Sequence, residues 1–420
     1  MAQINANFRV HSRQFGAKIS LPPPNPKDPF FLFLCARRVL RGENLLMTPK
    51  KVLFLVDRLG RGGVAQVVTN VALTIDRTKF TPVICVTRDK PAYGQDHLLR
   101  QAGVTVIELK RRSRFQLSVW KTLWPVLADV TILHTHLSGS NFWGRLWGTL
   151  RRVPIIITQE HAPASAKMWA EHLVDRTLSP LSDRIIAVSE FDRQKYIELE
   201  KIPPEKIETL YVGIDIDKFA LGVPRPFAKQ QLGLPADKKI IAVVARLFPQ
   251  KNHQGFLEAL SLLSPEHRTQ VHCLLIGSGP LEDQLKSEVE RLGLQETVAF
   301  LGERTDVPQL LAASDLLVLP SHFECLPSVI SEAMAARCAV VATAVGGIPE
   351  MLGDVGWPMV PPGNAPQLAE AISCVLEMGE AERKRLLDRG EQVVRERFSK
   401  PQSVLKTQQL YERLLATLPH

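Results

Sequence analysis

No run in this chain approaches the ~18 to 20 consecutive apolar side chains of a membrane-spanning helix. The six cysteines (Cys35, Cys85, Cys273, Cys325, Cys338, Cys374) lack metal-ligand spacing, and several fall within apolar strand-like runs. They read as small core residues of a reduced, cytoplasmic compartment. Cys325 has no partner for a catalytic dyad evident in the sequence, so a nucleophile is not expected there. Zinc-finger spacing, an RNP-like strand and a Lys/Arg tract are all missing, and nucleic acid is therefore not an expected partner. The short run Phe30-Phe31-Leu32-Phe33-Leu34 is followed by no small-residue cleavage site and no full h-region, which argues against a secretory signal.

What is present is globular: 420 residues, 45% hydrophobic and 23% charged, too long for one ordinary core. Residues 1–46 do not resemble the rest, whereas Met47-Thr48-Pro49-Lys50-Lys51 leads directly into an apolar strand, as a native amino terminus would. The extension is expected to be a mis-called start or a disordered tail. A net charge of +9 favours a polyanionic neighbour. The charge gathers in Lys110, Arg111, Arg112 and Arg114, followed by Trp120, Trp124, Phe142, Trp143 and Trp147. Cations mixed with tryptophan suit an anionic membrane surface, and so a peripheral place on the inner face of the plasma membrane. An ordinary solvated loop before a helix with core-facing tryptophans fits equally well.

Strands alternate with helical stretches twice over, the pattern of doubly wound α/β domains. The first set runs Val52–Val56, Pro82–Val86, Thr105–Ile107, Thr131–His134, Ile155–Thr158 and Arg184–Val188. The second runs Ile240–Ala245, His272–Ile276, Val298–Phe300, Leu316–Leu319, Ala339–Thr343 and Met359–Val360. Leu221–Pro226, rich in breakers, is the expected linker. The expected domains are 47–222 and 227–398, with a final helix at 399–420 whose Val404, Leu405, Tyr411, Leu414 and Leu415 could bury a face.

Chemistry concentrates at strand ends. Glu324 follows an apolar strand, Pro327 suits the first turn of a helix, and Glu332 falls about one turn inside it. Free N–H groups near Leu326–Val329 and two carboxylates could together hold phosphate and sugar hydroxyls, although acids near helix starts are common for other reasons. Arg246 and Lys251 follow another strand, and Gly277-Ser278-Gly279-Pro280 a third. Ligands of open parallel sheets gather at such carboxyl ends.

In the first half, Leu59-Gly60-Arg61-Gly62-Gly63-Val64-Ala65 joins a strand to a helix, and its glycines let backbone N–H groups approach an anion. Gly60-x-Gly62-x-x-Ala65 formally satisfies the dinucleotide fingerprint, but Asp57-Arg58-Leu59 makes the loop longer than that tight turn requires. His161 follows the fifth strand and could hydrogen-bond a sugar hydroxyl, assist proton transfer or be merely structural. His134 and His136 end a strand and lack a third metal ligand, so cleft lining or a supporting layer is expected.

The segments Val244–Asn252, Leu275–Pro280, Phe300–Gly302, Ala313–Asp315, the Glu324/Glu332 pair and Ala344–Glu350 resemble the family 4 glycosyltransferases, and the likeness covers nearly everything after Met47. The resemblance implies a GT-B fold, with two Rossmann-like domains facing across a cleft and a C-terminal helix crossing back to the first. It implies hexose transfer from a nucleotide-diphosphate sugar to a glycan or glycolipid acceptor, with anomeric configuration retained. His161, Arg246, Lys251 and Glu324 would be catalytic. Gly62, Gly63, Arg246, Lys251, Gly277, Glu324, Cys325, Leu326, Pro327 and Glu332 would bind the donor. Asp215-Ile216-Asp217 looks like the segment before the family's linker rather than a metal motif, with Val212 where the family usually has asparagine. Neither metal nor other cofactor is expected, since Arg246, Lys251 and helix N-termini supply the positive charge. A non-catalytic sugar-nucleotide scaffold of a polysaccharide assembly complex, an epimerase and a phosphorylase are the competing readings.

Overall fold

The computed structural model describes residues 48–60, 63–88, 96–112, 116, 118–161, 163 and 167–418. The extension up to Met47 therefore lies outside the described residues. Two all-parallel sheets organise the chain, both inside the single unit Leu46–Leu418. The first contains β1 (Lys50–Val56), β2 (Phe80–Arg88), β3 (Thr105–Arg111), β4 (Ile132–His136), β5 (Ile155–Gln159), β6 (Arg184–Ala187) and β7 (Ile207–Thr209). Their order is β3-β2-β1-β4-β5-β6-β7. The second contains β8 (Lys239–Val244), β9 (Val271–Ile276), β10 (Val298–Gly302), β11 (Leu316–Leu319), β12 (Ala339–Thr343) and β13 (Met359–Val360), in the order β10-β9-β8-β11-β12-β13.

All twelve expected strands form, and each sheet is doubly wound. Their apolar runs explain it: a parallel strand covered by helices on both faces has no polar side to alternate with. Phe54, Ile132, Ile157, Ile241, Leu317 and Val341 are each completely buried. The edge strand β7 was not foreseen. Its Ile-Glu-Thr is too short and too polar to stand out, and only pairing with β6 makes it a strand. The linker is shorter than expected, because Arg225 already begins the helix Arg225–Gln231, with Pro226 in its first turn.

The C-terminal helices Glu380–Arg397 and Lys400–Ala416 break at Ser399, as the sequence indicates. Ser399 bridges to Ile214, and the last helix then lies on the first sheet. Val404, Leu410, Tyr411 and Leu414 join the core formed by β1, β2 and β4. Leu405 does not share that face and is exposed. Gly213 marks the tightest point of the crossing, since a Cβ there would sit 2.4 Å from the Ser399 carbonyl oxygen.

Arg111 is a correction within the basic cluster. β3 continues past Ile107 to Arg111, whose side chain turns inward, buried to 2% exposure. Its guanidinium pairs with Asp57 at 3.2 Å and lies 5.5 Å from the centre of the Trp120 ring. Trp120 is itself wholly buried and stacks on Trp143. Lys110 and Arg112 are exposed, while Arg114 lies outside the described residues. Trp120 thus belongs to the core, with Trp143 and Trp147 partly buried against it, whereas Trp124 is exposed. Among the described residues no helix is long and apolar enough to cross a membrane.

Candidate active site

The carboxyl edge of the second sheet gathers most of the expected groups. β8 and β11 are direct neighbours, so the loops carrying Arg246 and Lys251 and the loop carrying Glu324 leave the sheet side by side. After β8 the chain makes a single turn, Pro249–Lys251, and Asn252 then adopts a left-handed conformation. The Asn252 side chain accepts from the Gly255 N–H at 3.2 Å and donates to the Pro320 carbonyl at 3.2 Å. That asparagine caps a helix and ties the β8 loop to the β11 loop at once.

Lys251 is thereby delivered to Glu324. Its Nζ lies 2.5 Å from Glu324 Oε1, and the Ser321 hydroxyl donates to the same oxygen at 2.7 Å. The Thr343 hydroxyl in turn donates to the Ser321 carbonyl at 2.6 Å. Glu324 is buried, so this pair is fixed rather than a fluctuating surface contact. Arg246 is different. Its guanidinium lies 4.7 Å from the centre of the Phe248 ring, and no carboxylate among the described residues pairs with it.

Glycines let these loops approach one another. Gly277 has φ of 139°, and a Cβ there would lie 2.1 Å from the Ala245 carbonyl oxygen. Gly346, with φ of 55°, would place a Cβ 1.7 Å from the Glu324 carbonyl oxygen. Only glycine fits either position. Pro327 stands one residue before the helix Ser328–Ala335 rather than within its first turn, and Leu326 is half-buried beside it. Glu332 lies one turn into that helix, where burial pushes its carboxyl up to about 7.

The Cys325 side chain reaches toward the first domain. Its thiol donates to the His161 carbonyl at 3.3 Å, across the cleft. Burial first, and then Asp192, hold the thiol far above its ordinary value, so it stays protonated and is no nucleophile. The same contact sets His161 against the β11 loop. Its neighbours are pinned from behind, because the Asn141 amide donates to the Gln159 carbonyl at 3.1 Å and to Glu160 Oε1 at 2.7 Å. Lys167, just beyond, is held above its usual pKa although burial opposes this, through Glu160, Asp175 and Glu200.

His134 and His136 do share a face. Their rings lie 4.3 Å apart, and His136 Nδ1 is 3.0 Å from His161 Nε2. His134 Nδ1 is 2.7 Å from the Tyr411 hydroxyl of the crossing helix. Burial lowers His134 and His161 to about 3 and His136 well below its usual value, so all three are neutral near pH 7. His134 and His136 form a supporting layer behind His161, not the lining of the cleft.

Two further groups escaped the sequence reading. Glu350 accepts from the N–H groups of Glu190 (2.9 Å) and Phe191 (2.7 Å) and from the Tyr211 hydroxyl (3.0 Å). A carboxylate of the second domain thus caps a helix of the first. Asp57, at the end of β1, accepts from Thr87 and Ser140, each at 2.8 Å, as well as pairing with Arg111. Neither declares itself in sequence, because each depends on partners far along the chain. Gly63 opens the helix Gly63–Thr74, and its Cα faces open space. Gly62 lies outside the described residues. Asp215 lies 4.0 Å from Lys400 Nζ at the crossing point, where it serves the linker.

Comparison with known proteins agrees with this geometry. The family model described as Glycosyltransferase Family 4 matches residues 61–218, and the one described as Glycosyl transferases group 1 matches residues 224–393. Together the matches span well over half of the chain, which belongs to the family 4 glycosyltransferases. One curated relative is the UDP-Gal:alpha-D-GlcNAc-diphosphoundecaprenol alpha-1,3-galactosyltransferase of Escherichia coli, 30% identical over 57% of this chain and 64% of the relative. Another is the D-inositol 3-phosphate glycosyltransferase of Mycolicibacterium smegmatis, 32% identical over 60% of this chain and 61% of the relative. The chain therefore spans less than two thirds of the length of these relatives. Among solved structures, Anabaena HepE in complex with UDP-glucose superposes with a TM-score of 0.74 at 23% identity, over 88% of this chain and 100% of that one. WaaG, a glycosyltransferase involved in lipopolysaccharide biosynthesis, gives 0.66 at 17%, over 86% and 99%. At these identities the superpositions establish the GT-B fold.

Proposed function

We propose that the chain transfers a hexose-type sugar from a nucleotide-diphosphate donor to a hydroxyl of a growing, lipid-linked glycan, with retention of anomeric configuration. The observation that carries this reading is the meeting of His161 with the β11 loop, beside the Lys251–Glu324 pair. That contact sets the His161 backbone, from one domain, against the loop of the other that carries Glu324 and its Lys251 partner.

Each side chain then has a task. Arg246, without a carboxylate partner among the described residues, is available to the diphosphate. Lys251 adds a second cation as charge builds on the leaving group, the kind of preorganised electrostatics that dominates many such sites. Glu324 keeps one oxygen engaged by Lys251 and Ser321 and offers the other to a hydroxyl of the donor sugar. Glu332 accepts from the ribose diol. N–H groups at the start of Ser328–Ala335 and at Gly63 complement phosphate oxygens. The acceptor oxygen attacks on the leaving-group face and passes its proton to the departing diphosphate, while closure of the cleft excludes water. These groups perform the reaction without a divalent ion. The undecaprenol-linked substrate in the name of the Escherichia coli relative supports a lipid-linked acceptor. Lys110 and Arg112, exposed on the first domain, provide a modest cationic contact with an anionic membrane.

A test begins with thermal shift against UDP-, GDP- and ADP-sugars. Proton NMR of the product formed from the stabilising donor then reads the anomeric configuration. Transfer with retention supports the reading. Binding without transfer to any supplied glycolipid favours a scaffold, and inversion removes the proposed attack geometry.

A further inference from the structure

His136 is wholly buried behind His161, and its Nδ1 makes a hydrogen bond of 3.0 Å to His161 Nε2. Its other nitrogen, Nε2, is buried and has no hydrogen-bond partner among the described residues. Two neutral arrangements satisfy the shared bond. In one, His161 donates from Nε2 and His136 carries its proton on Nε2, where a buried N–H meets no acceptor. In the other, His136 donates from Nδ1, its Nε2 keeps only a bare lone pair, and the His161 proton sits on Nδ1.

Orphaned buried N–H groups are rare and costly, and an unused lone pair is better tolerated. The second arrangement is therefore favoured. The surroundings reinforce it. The His136 ring is clamped between His134, at 4.3 Å, and His161, at 5.3 Å between ring centres, with Phe54 also stacked against it. Beyond His134, the Tyr411 hydroxyl closes the row from the crossing helix. A ring so confined cannot flip without opening the core.

We infer that His136 is a positioning residue that fixes His161 as the Nδ1–H tautomer, so that His161 offers the ligand a hydrogen-bond donor and not a base. This rests on the proposed role of His161 toward the donor sugar. It specifies what that role can be: donation to a sugar oxygen, with the acceptor's proton leaving by way of the diphosphate. Which ring nitrogen a second-row group engages decides what the first-row imidazole presents.

The full chain labelled with ¹⁵N-histidine allows a direct reading of the tautomers by long-range proton–nitrogen correlation, with H161Q and H136N serving for assignment. Protonated Nδ1 on both His136 and His161 is expected. A His161 protonated on Nε2 overturns the inference, whatever the activity. Kinetics supply a second readout. In H136N an amide N–H takes the place of Nδ1–H and recovers most of the rate that H136L loses. H136L should lower kcat by ~10-fold, the equivalent of one hydrogen bond, with KM for the nucleotide-sugar unchanged. Equal losses in both variants of matched Tm, or no loss in either, contradict a donor role for His136. Full activity in H161A would instead sink the functional reading while leaving the tautomer result standing.

Discussion

The two sheets carry their share of the cleft in different ways. At the edge of the second sheet, Arg246, Lys251 and Glu324 sit in loops that leave strand ends, and Lys251 and Glu324 meet across adjacent loops. Lys251 meets Glu324, and Asn252 meets Pro320, through neighbouring strands β8 and β11. In the first domain, His161 depends on β4 for His136 and on the helix after β4 for Asn141 beside it. The row behind it ends on Tyr411, 277 residues from His134. The second domain is thus built as a local receptor for charge, the first as a deeply supported wall. The contrast predicts that substitutions in the second act on chemistry and nucleotide binding, and those in the first on orientation and stability.

The largest effect is expected from Lys251→Ala, which should lower kcat by ~100-fold or more with a small change in KM, measured by initial rates of transfer. An unchanged kcat would assign the diphosphate to other cations. Gly346→Ala forces a Cβ onto the Glu324 carbonyl and should destabilise the second domain by about 2 kcal/mol or more, read from denaturant unfolding, along with loss of transfer. Glu350→Ala removes a cap shared between the domains. About 1 kcal/mol should be lost, accompanied by a more open cleft in small-angle scattering.

Acid sensitivity should follow the first domain. His134 and His161, at about 3, and His136, held well below its usual value by burial, remain neutral when folded, while the unfolded chain protonates them below about 6.5. His253, at about 4, behaves alike. The unfolded state then binds more protons, so stability falls as pH drops from about 6.5 toward 4. Glu200 and Glu332, both raised to about 7, take up protons in the folded state between about 7 and 4.5 and offset part of the loss. Denaturant midpoints should fall between pH 7.5 and 5. A rise would mean that the carboxylates dominate. Activity should survive EDTA in full; loss restored only by manganese or magnesium would overturn the metal-free proposal.

Legibility in the sequence followed the same division. The placement of Arg246, Lys251, Glu324 and Glu332 beyond the carboxyl ends of β8 and β11 was readable because apolar runs announce buried parallel strands. Arg111 misled, since a cluster of cations looks like a surface until β3 extends through it and one of them turns inward to Asp57. Cys325 was assigned to the donor by the family resemblance, and nothing in the sequence announced the contact of its thiol with the His161 carbonyl. Glu350 lay inside a recognised segment without a role, because its three donors come from Glu190, Phe191 and Tyr211. Local periodicity carries no information about such long-range partners.

Calorimetric titration of UDP and of GDP into the wild type, Arg246→Ala and His161→Ala tests most directly where the nucleotide docks. With the nucleotide that binds, Arg246→Ala should weaken affinity by ~10-fold or more through loss of a charge-assisted contact. His161→Ala should leave it within about twofold, since His161 is assigned to the sugar alone. The reverse pattern would place the diphosphate on the first domain and contradict the division of labour proposed for the cleft.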